Sequence, residues 1–219
     1  QFTADAAHEL RSPLTALSLQ AQLAERAIAP EQRAQALQTL RQGIDRASHL
    51  VQQLLTLARL EPEVGDSPLK PLFLDDLARN VVADFAPLAA NRHIDLGLTR
   101  ADHVLVAGAE EALRILLGNL IDNAIRYSPT NTRIDVSVFK DAKTVRLEVN
   151  DTGTGIALDE RDRVFDRFYR VLNSAESGSG LGLAIAKRIA DQHQADITLR
   201  DGDGGMGLKV IVTFPENRE

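Results

Sequence analysis

The chain contains no cysteine, which excludes disulfides, thiolate metal sites and a catalytic thiol. No apolar run approaches the ~18–20 residues that cross a bilayer as a helix, and no signal-peptide pattern opens the sequence. An excess of basic residues is also missing: 25 Lys and Arg stand against 31 Asp and Glu, a formal net charge of −6, with an isoelectric point near 5.4. That balance argues against a nucleic-acid surface, which needs clustered cations. What is present is 219 residues, 44% hydrophobic and 26% charged. This is the composition of a soluble globular protein, with room for one large domain or a small element plus a domain. Gln1 begins without a cap, already inside a helical pattern, so the sequence is expected to be a fragment of a longer protein.

The first sixty residues repeat in heptads. Leu10, Leu14, Leu17, Ala21, Ala24 and Ile28 are spaced alternately four and three, and after "IAPEQ" a second stripe runs through Leu37, Leu40, Ile44, Ala47, Val51, Leu54 and Ala58. Two such helices joined by a short turn make an antiparallel hairpin. Two hairpins can close into a four-helix bundle, so self-association is expected. "LEPEVGDSPLKP" combines three prolines, a glycine and several charges and reads as a linker. Beyond it, residues 74–90 read as a helix, "HIDLGLT" and "HVLVA" as strands, and 109–127 as a helix. "RIDVSVFK" and "TVRLEVND" flank a short turn as a hairpin, a helix follows over 181–193, and "ADITLRD" and "GLKVIVTF" are strands. The expectation is an α+β domain with helices on one face of a mixed sheet. The domains are drawn as 1–62, a linker over 63–71, and 72–219.

Four signatures in the second domain bear on chemistry. In "LLGNLIDNAIRYSP", Asn119 and Asn123 are four apart and share a helical face with Tyr127. Their amide oxygens suit a hard cation that keeps waters and phosphate oxygens in its shell, although such a pair alone is more often a solvated polar face. "NDTGTGI" ends a strand with an acid and two glycines. A carboxylate at Asp151 can accept from the exocyclic amine of adenine, where guanine presents a carbonyl; alone, this is an ordinary strand-end turn. "RVFDRFYR" places Phe165 and Phe168 three apart, as core filling would. "GSGLGLAIAKRIA" is a glycine loop opening an apolar helix, a place where backbone N–H groups suit phosphates. It is no Walker loop, since no Lys-Ser or Lys-Thr follows the glycines.

In this order and at these spacings, the four stretches resemble the N, G1, F and G2 boxes of the ATP-binding domain of bacterial sensor histidine kinases. "HELRSPLTAL" resembles the H box of their dimerization and phosphotransfer domain. The resemblance covers essentially the whole chain, and "FTADAAHELRSPLTAL" is most similar to membrane sensor kinases paired with OmpR-type regulators, of the QseC-like kind. It implies a dimeric four-helix bundle followed by the α+β two-layer sandwich of the Bergerat fold, with ATP and Mg²⁺ as cofactors. Asn119 and Asn123 would hold Mg²⁺-ATP, chiefly through Asn123. Arg126 would lie near the phosphates and Tyr127 near base and sugar. Asp151 would recognise adenine, with Gly153, Gly155 and Ile156 shaping the pocket and Arg170 meeting the γ-phosphate. Residues from about Ala157 to Ser179 would be the ATP lid, with Gly178, Gly180, Leu181 and Gly182 as its hinge and phosphate wall.

His8 would be the phosphorylated residue. It lies just off the stripe Thr3, Ala7, Leu10 and Leu14, so its ring should reach solvent at the bundle's flank. A neutral imidazole can attack phosphorus through one nitrogen while the other keeps its proton. Glu9 can accept from that N–H, and Pro13 strains the carbonyl of Glu9 one turn back. Beside a lone acid the histidine would be an ordinary surface residue; beside four ATP-site boxes it reads as a nucleophile. Ser12 stands where the family often has threonine or asparagine; it retains a hydroxyl, so removal of phosphate from the partner is expected to survive. "DQHQAD" lacks the glycines frequent in the family at that point, which should alter packing only. The partners implied are a second copy of the chain and the receiver domain of a response regulator, with no nucleic acid. Membrane contact would come only through sensor segments outside this sequence, the chain being the cytoplasmic portion of a bacterial inner-membrane protein. A gyrase-, Hsp90- or MutL-like ATPase would carry glutamate where this chain has Asn119, and a non-catalytic scaffold would not need His8 beside Asn123 and Asp151 intact.

Overall fold

The structure, a computed structural model, describes residues 2–60, 69–171 and 178–215, the side chains of residues 2–5 and of His8 excepted. It divides into two compact units, Gln1–Glu61 and Pro62–Glu219.

The first unit is a helical hairpin of α1 (Phe2–Arg26) and α2 (Pro30–Arg59). Pro30 stands at the start of α2, where its missing N–H is no loss. Glu31 in the first turn and Arg59 in the last complement the helix dipole. α1 runs unbroken through Pro13 but stops at Arg26, so Ile28, expected on the first stripe, lies in the turn and is exposed. The helices approach closely at Gly43, where an added Cβ would stand 2.7 Å from Leu17 Cδ2. That contact accounts for a glycine in mid-helix despite its cost of ~1 kcal/mol against alanine. The stripes are not wholly inward. Leu54 and Ala24 are buried, but Leu37, Ile44 and Val51 are 46%, 48% and 40% exposed, and Leu14 is 56% exposed. The buried positions of α2 are Ala36, Leu50, Gln53, Leu54 and Leu57, so the heptad contains two adjacent seams, one of which a single chain leaves open.

The second unit comprises β1 (Lys70–Phe73), α3 (Leu74–Asn91), β2 (Asp95–Ala101), β3 (Leu105–Gly108), α4 (Glu110–Tyr127), β4 (Arg133–Asp141), β5 (Thr144–Asp151), α5 (Gly182–Gln192), β6 (Asp196–Asp201) and β7 (Leu208–Phe214). The mixed sheet has the order β2-β4-β5-β7-β6, parallel between β2 and β4 and antiparallel elsewhere. Period-2 alternation buries Ile134, Val136 and Val138 of β4 and Val145, Leu147 and Val149 of β5. α3, α4 and α5 contribute Leu77, Val81, Leu116, Leu117, Ile121, Ile185 and Ile189 to the core on that face. β1 pairs antiparallel with β3, Lys70 opposite Gly108. The sequence reading missed β1: Lys70 and Pro71 fell within the span read as linker, while residues 61–68 lie outside the described ones. Four residues beginning Lys-Pro carry no alternation from which a strand can be read.

His193, in the stretch expected to alter packing only, ties α5 to α4. Its Nδ1–H donates to Ile189 O at 2.7 Å, and its Nε2 accepts from the Ala109 N–H at 3.0 Å. Ala109 is the N-cap of α4 and has no side-chain cap of its own, so the imidazole serves in place of one. The ring is buried, and burial holds its pKa below the ordinary histidine value. An unfolded histidine takes up a proton near pH ~6.5, the folded one only at lower pH. The stability contributed by the neutral ring is therefore complete above pH ~6.5 and declines as pH falls toward the folded value. His193→Leu, which strands the Ala109 N–H, should cost ~1–3 kcal/mol at pH 8. The gap to the unaltered chain should narrow in thermal melts taken at successively lower pH below ~6.5; a pH-independent gap would contradict the assignment.

Candidate functional site

One line of α4 faces the opening of α5. Asn119 Nδ2 donates to Ile115 O at 2.8 Å, while Leu116, Leu117, Leu120, Ile121 and Ala124 anchor the other side of the helix in the core. Gly182 starts α5 against these amides. A Cβ added there would stand 3.2 Å from Asn119 Oδ1, 3.2 Å from Asn123 Nδ2 and 3.3 Å from Asn123 Oδ1. A Cβ on Gly178 would stand 3.0 Å from the Tyr127 hydroxyl oxygen. The two asparagines, Tyr127, Gly178 and Gly182 are therefore brought together, with glycine keeping the space between α4 and the loop open. No group of three or more His, Cys, Asp or Glu able to hold a metal ion occurs among the described residues. The donors gathered here are amide oxygens beside a cradle that a Cβ would fill, a set that fits Mg²⁺ accompanied by phosphate oxygens and water.

Arg126 turns to Asp122, with Nη2 2.9 Å from Oδ2. The end of α4 is fixed by a residue the sequence reading did not single out: Arg92 Nη1 donates to Ile125 O at 2.8 Å and Arg126 O at 3.1 Å.

Asp151 closes β5 and is buried. Its Oδ1 accepts from the Gly153 N–H at 2.8 Å and from the Leu208 N–H at 3.1 Å. Burial pushes its pKa above the ordinary carboxylate value, against the opposing pull of these two donors. Gly153 links the two ends of the site: a Cβ there would stand 2.5 Å from Tyr127 O and 3.0 Å from Asp151 Oδ1. A cavity of about 440 Å³ opens beside it, lined on one side by Gly153, Gly155 and Ile156 and on the other by Asp201, Met206 and Gly207. The asparagines and Tyr127 do not line this cavity; they meet at α5 instead. The second wall was missed in the sequence, although the glycine run "DGDGGMG" (201–207) signals it. Gly207 has φ +80°, and a Cβ on it would lie 1.9 Å from Asp151 O. Only glycine allows the turn to approach this closely.

Within the span expected as a lid lie two short 3₁₀ turns, Leu158–Glu160 and Arg163–Phe165. Its stem is fastened by Phe168, whose N–H donates to Gly180 O at 3.0 Å. Gly180 has φ +70° and packs on the Phe168 backbone. The Tyr169 hydroxyl donates to Glu160, and the Arg163 guanidinium lies 4.3 Å from the centre of the Tyr169 ring. "RVFDRFYR" thus fastens the loop, and its core contribution is Val164, with Phe165 and Phe168 only half-buried. Arg170 is exposed at the far end of this stem, and residues 172–177 lie outside the described ones. Leu181, which the resemblance counts among the nucleotide-binding residues, turns its side chain wholly into the core, and its N–H donates to Ser179 Oγ at 3.2 Å. Only its backbone is left to face a ligand.

His8, Glu9 and Ser12 belong to the other unit, on α1. The His8 side chain, expected at the flank of the bundle, lies outside the described residues. Glu9 and Ser12 are exposed, and Ser12, four positions after His8, shares its helical face.

Comparison with known proteins yields two family matches. Residues 1–63 match the His kinase A (phospho-acceptor) domain. Residues 108–218, half of the chain, match the histidine kinase-, DNA gyrase B- and HSP90-like ATPases. The sensor protein kinase PmrB of Pseudomonas aeruginosa is 38% identical over 219 residues, covering 100% of this chain and 46% of that protein. The sensor protein QseC of Escherichia coli is 41% identical over 213 residues, covering 96% of this chain and 46% of that protein. The chain thus spans about half the length of the curated relatives it matches. Among solved structures, the histidine kinase AdeS of Acinetobacter baumannii aligns with a TM-score of 0.76 over 96% of this chain and 98% of its own. At 24% identity it attests the shared fold.

Proposed function

The chain belongs to the sensor histidine kinases, and on that premise we propose that it binds Mg²⁺-ATP in its second unit, transfers the γ-phosphoryl group to His8, and passes it to an aspartate on a response-regulator receiver domain of the OmpR type. The observation that carries this is the convergence of Asn119, Asn123, Tyr127, Gly178 and Gly182, joined through Gly153 to Asp151 with its carboxylate held by two backbone N–H groups.

Each group has a task that its chemistry suits. Both bonds from the backbone go to Asp151 Oδ1, so Oδ2 is the oxygen to accept from the exocyclic amine of adenine; the carbonyl of guanine would meet the same carboxylate with repulsion. Because the Asp151 pKa is raised, this acceptor is lost by protonation earlier in an acid titration than at an ordinary aspartate. Asn119 and Asn123 would hold Mg²⁺, which when bound neutralises charge on the β- and γ-phosphates. Arg126 and Arg170 supply positive charge for the phosphate end, and Gly178, Gly180 and Gly182 offer backbone N–H groups without crowding it, while Leu181, its N–H given to Ser179 Oγ, anchors the loop in the core. In the transfer, the Nε2 lone pair of His8 forms the N–P bond as the bond from phosphorus to the leaving oxygen of ADP breaks. Glu9 takes the Nδ1 proton. Ser12 would orient water for the reverse duty of dephosphorylating the regulator.

The open apolar seam of Leu14, Leu37, Ile44 and Val51 supports a homodimer, since pairing two hairpins buries what one exposes. The reading extends to the whole protein as the cytoplasmic portion of an inner-membrane sensor; no described helix is itself long and apolar enough to cross a membrane.

The test is a chase. Chain labelled with [γ-³²P]ATP and freed of nucleotide should lose its label to a purified OmpR-type receiver domain, and sedimentation should return twice the 23.9 kDa chain mass. Label that stays on the chain in the presence of every such receiver tried would contradict the regulator assignment, and a monomer mass would contradict the dimer.

A further inference from the structure

One side chain joins the two walls of the 440 Å³ cavity. Arg161, just after the first 3₁₀ turn, donates from Nε to the carbonyl of Ile156 at 3.0 Å and from Nη2 to Asp201 Oδ1. Ile156 belongs to the wall that follows Asp151, and Asp201 is the last residue of β6, paired with Leu208 at the start of β7. The Arg161 side chain is 13% exposed while that of Asp201 is 68% exposed, so the guanidinium is embedded and the carboxylate reaches it from the surface. A planar fork with two simultaneous acceptors fixes orientation in a way a point charge does not.

What this fork holds bears on the base end of the site. The turn that leaves Asp201 carries Gly207, which no side chain could replace against Asp151 O, and it leads into Leu208, the ladder partner of Asp201, whose N–H donates to Asp151 Oδ1. The same turn is fastened on its other side by Lys209 to Asp203 at 2.5 Å and by the Asp203 N–H to Asn150 Oδ1 at 3.0 Å. If the turn drifted from Ile156, the Leu208 donor would drift from the carboxylate.

We propose that Arg161 is a positioning residue for recognition of the adenine ring: by clasping Ile156 to Asp201 it holds the two cavity walls together and keeps Asp151 aimed. This rests on the nucleotide reading above. It concerns the base and not the phosphates, so its loss should be felt equally by nucleotides that differ only in their phosphates and Mg²⁺.

The test uses the full chain and isothermal calorimetry with two probes that share the base, Mg²⁺-ATP and Mg²⁺-free ADP. Arg161→Ala should weaken both by the same factor, ~10-fold. Asp201→Ala should do likewise, and the double variant should be no worse than either single one, since both remove one clasp. Arg161→Lys, which keeps the charge but not the fork, should recover part of the loss. Unchanged affinity in Arg161→Ala, losses that multiply in the double variant, or a loss for Mg²⁺-ATP that vanishes with Mg²⁺-free ADP would each overturn the proposal. Failure of the unaltered chain to bind either nucleotide would sink the nucleotide reading together with the clasp. Normal binding with an unresponsive Arg161→Ala would sink the clasp alone.

Discussion

Asn123→Ala is expected to weaken Mg²⁺-ATP binding by ~100-fold or more. The amide sits against Gly182, where its oxygen and nitrogen both lie within 3.3 Å of the point a Cβ would occupy. Asn119, fixed through Nδ2 to Ile115 O, keeps one amide oxygen at the site, but one such donor does not replace two. Losing a neutral oxygen donor to a hard cation exposes the phosphates' mutual repulsion, which Mg²⁺ otherwise offsets. Two features identify the cause. The residual affinity should no longer respond to added Mg²⁺, and the melting temperature should hardly move, because the helix is anchored by Leu116, Leu117, Leu120 and Ile121 on its other side. Calorimetry that returns the unaltered affinity would remove Asn123 from the site.

His8→Gln should lower phosphoryl incorporation from ATP by at least ~1000-fold while leaving the nucleotide Kd within ~2-fold. Glutamine preserves polarity and helix propensity at this position but offers an amide with no nucleophilic lone pair. The two effects separate because His8 belongs to the helical unit and the nucleotide groups to the other. Glu9→Gln is the intermediate case: the imidazole stays and only its proton acceptor is lost, so incorporation should slow without vanishing. Undiminished labelling of His8→Gln would show that the phosphoryl group goes elsewhere.

Comparison of sequence with structure shows which features periodicity exposes. β4 and most of β5 were legible because burial alternates along them, β7 as a short apolar run whose Val210, Ile211 and Val212 are all buried, and α4 because its leucines recur at helical spacing around Asn119 and Asn123. The hairpin was legible as two helices, but the heptads blurred two seams into one: Leu37, Ile44 and Val51 are outward in the single chain while Leu50 and Leu57 are buried. An apolar residue is the same letter whether its partner is the next helix or another molecule. β1 escaped because its four residues, Lys-Pro-Leu-Phe, continue the linker's prolines and carry neither alternation nor a β-branched side chain. At the site, side-chain motifs were readable and backbone donors were not: nothing in the letter Leu marks residue 208 as the donor to Asp151. Arg161 and His193 were hidden for a related reason, since each acts through a partner in a distant segment, the Asp201 carboxylate for one and the Ala109 N–H for the other.

The central claim is that a phosphoryl group leaves ATP for an imidazole on α1. The most direct measurement is to incubate the unaltered chain with [γ-³²P]ATP and Mg²⁺, test the bound label in acid and in base, and map it by peptide. The account predicts phosphate that is lost in acid, survives base and resides on the peptide containing His8. Acid-stable phosphate, phosphate on another peptide, or release of free phosphate with no labelled protein would contradict it.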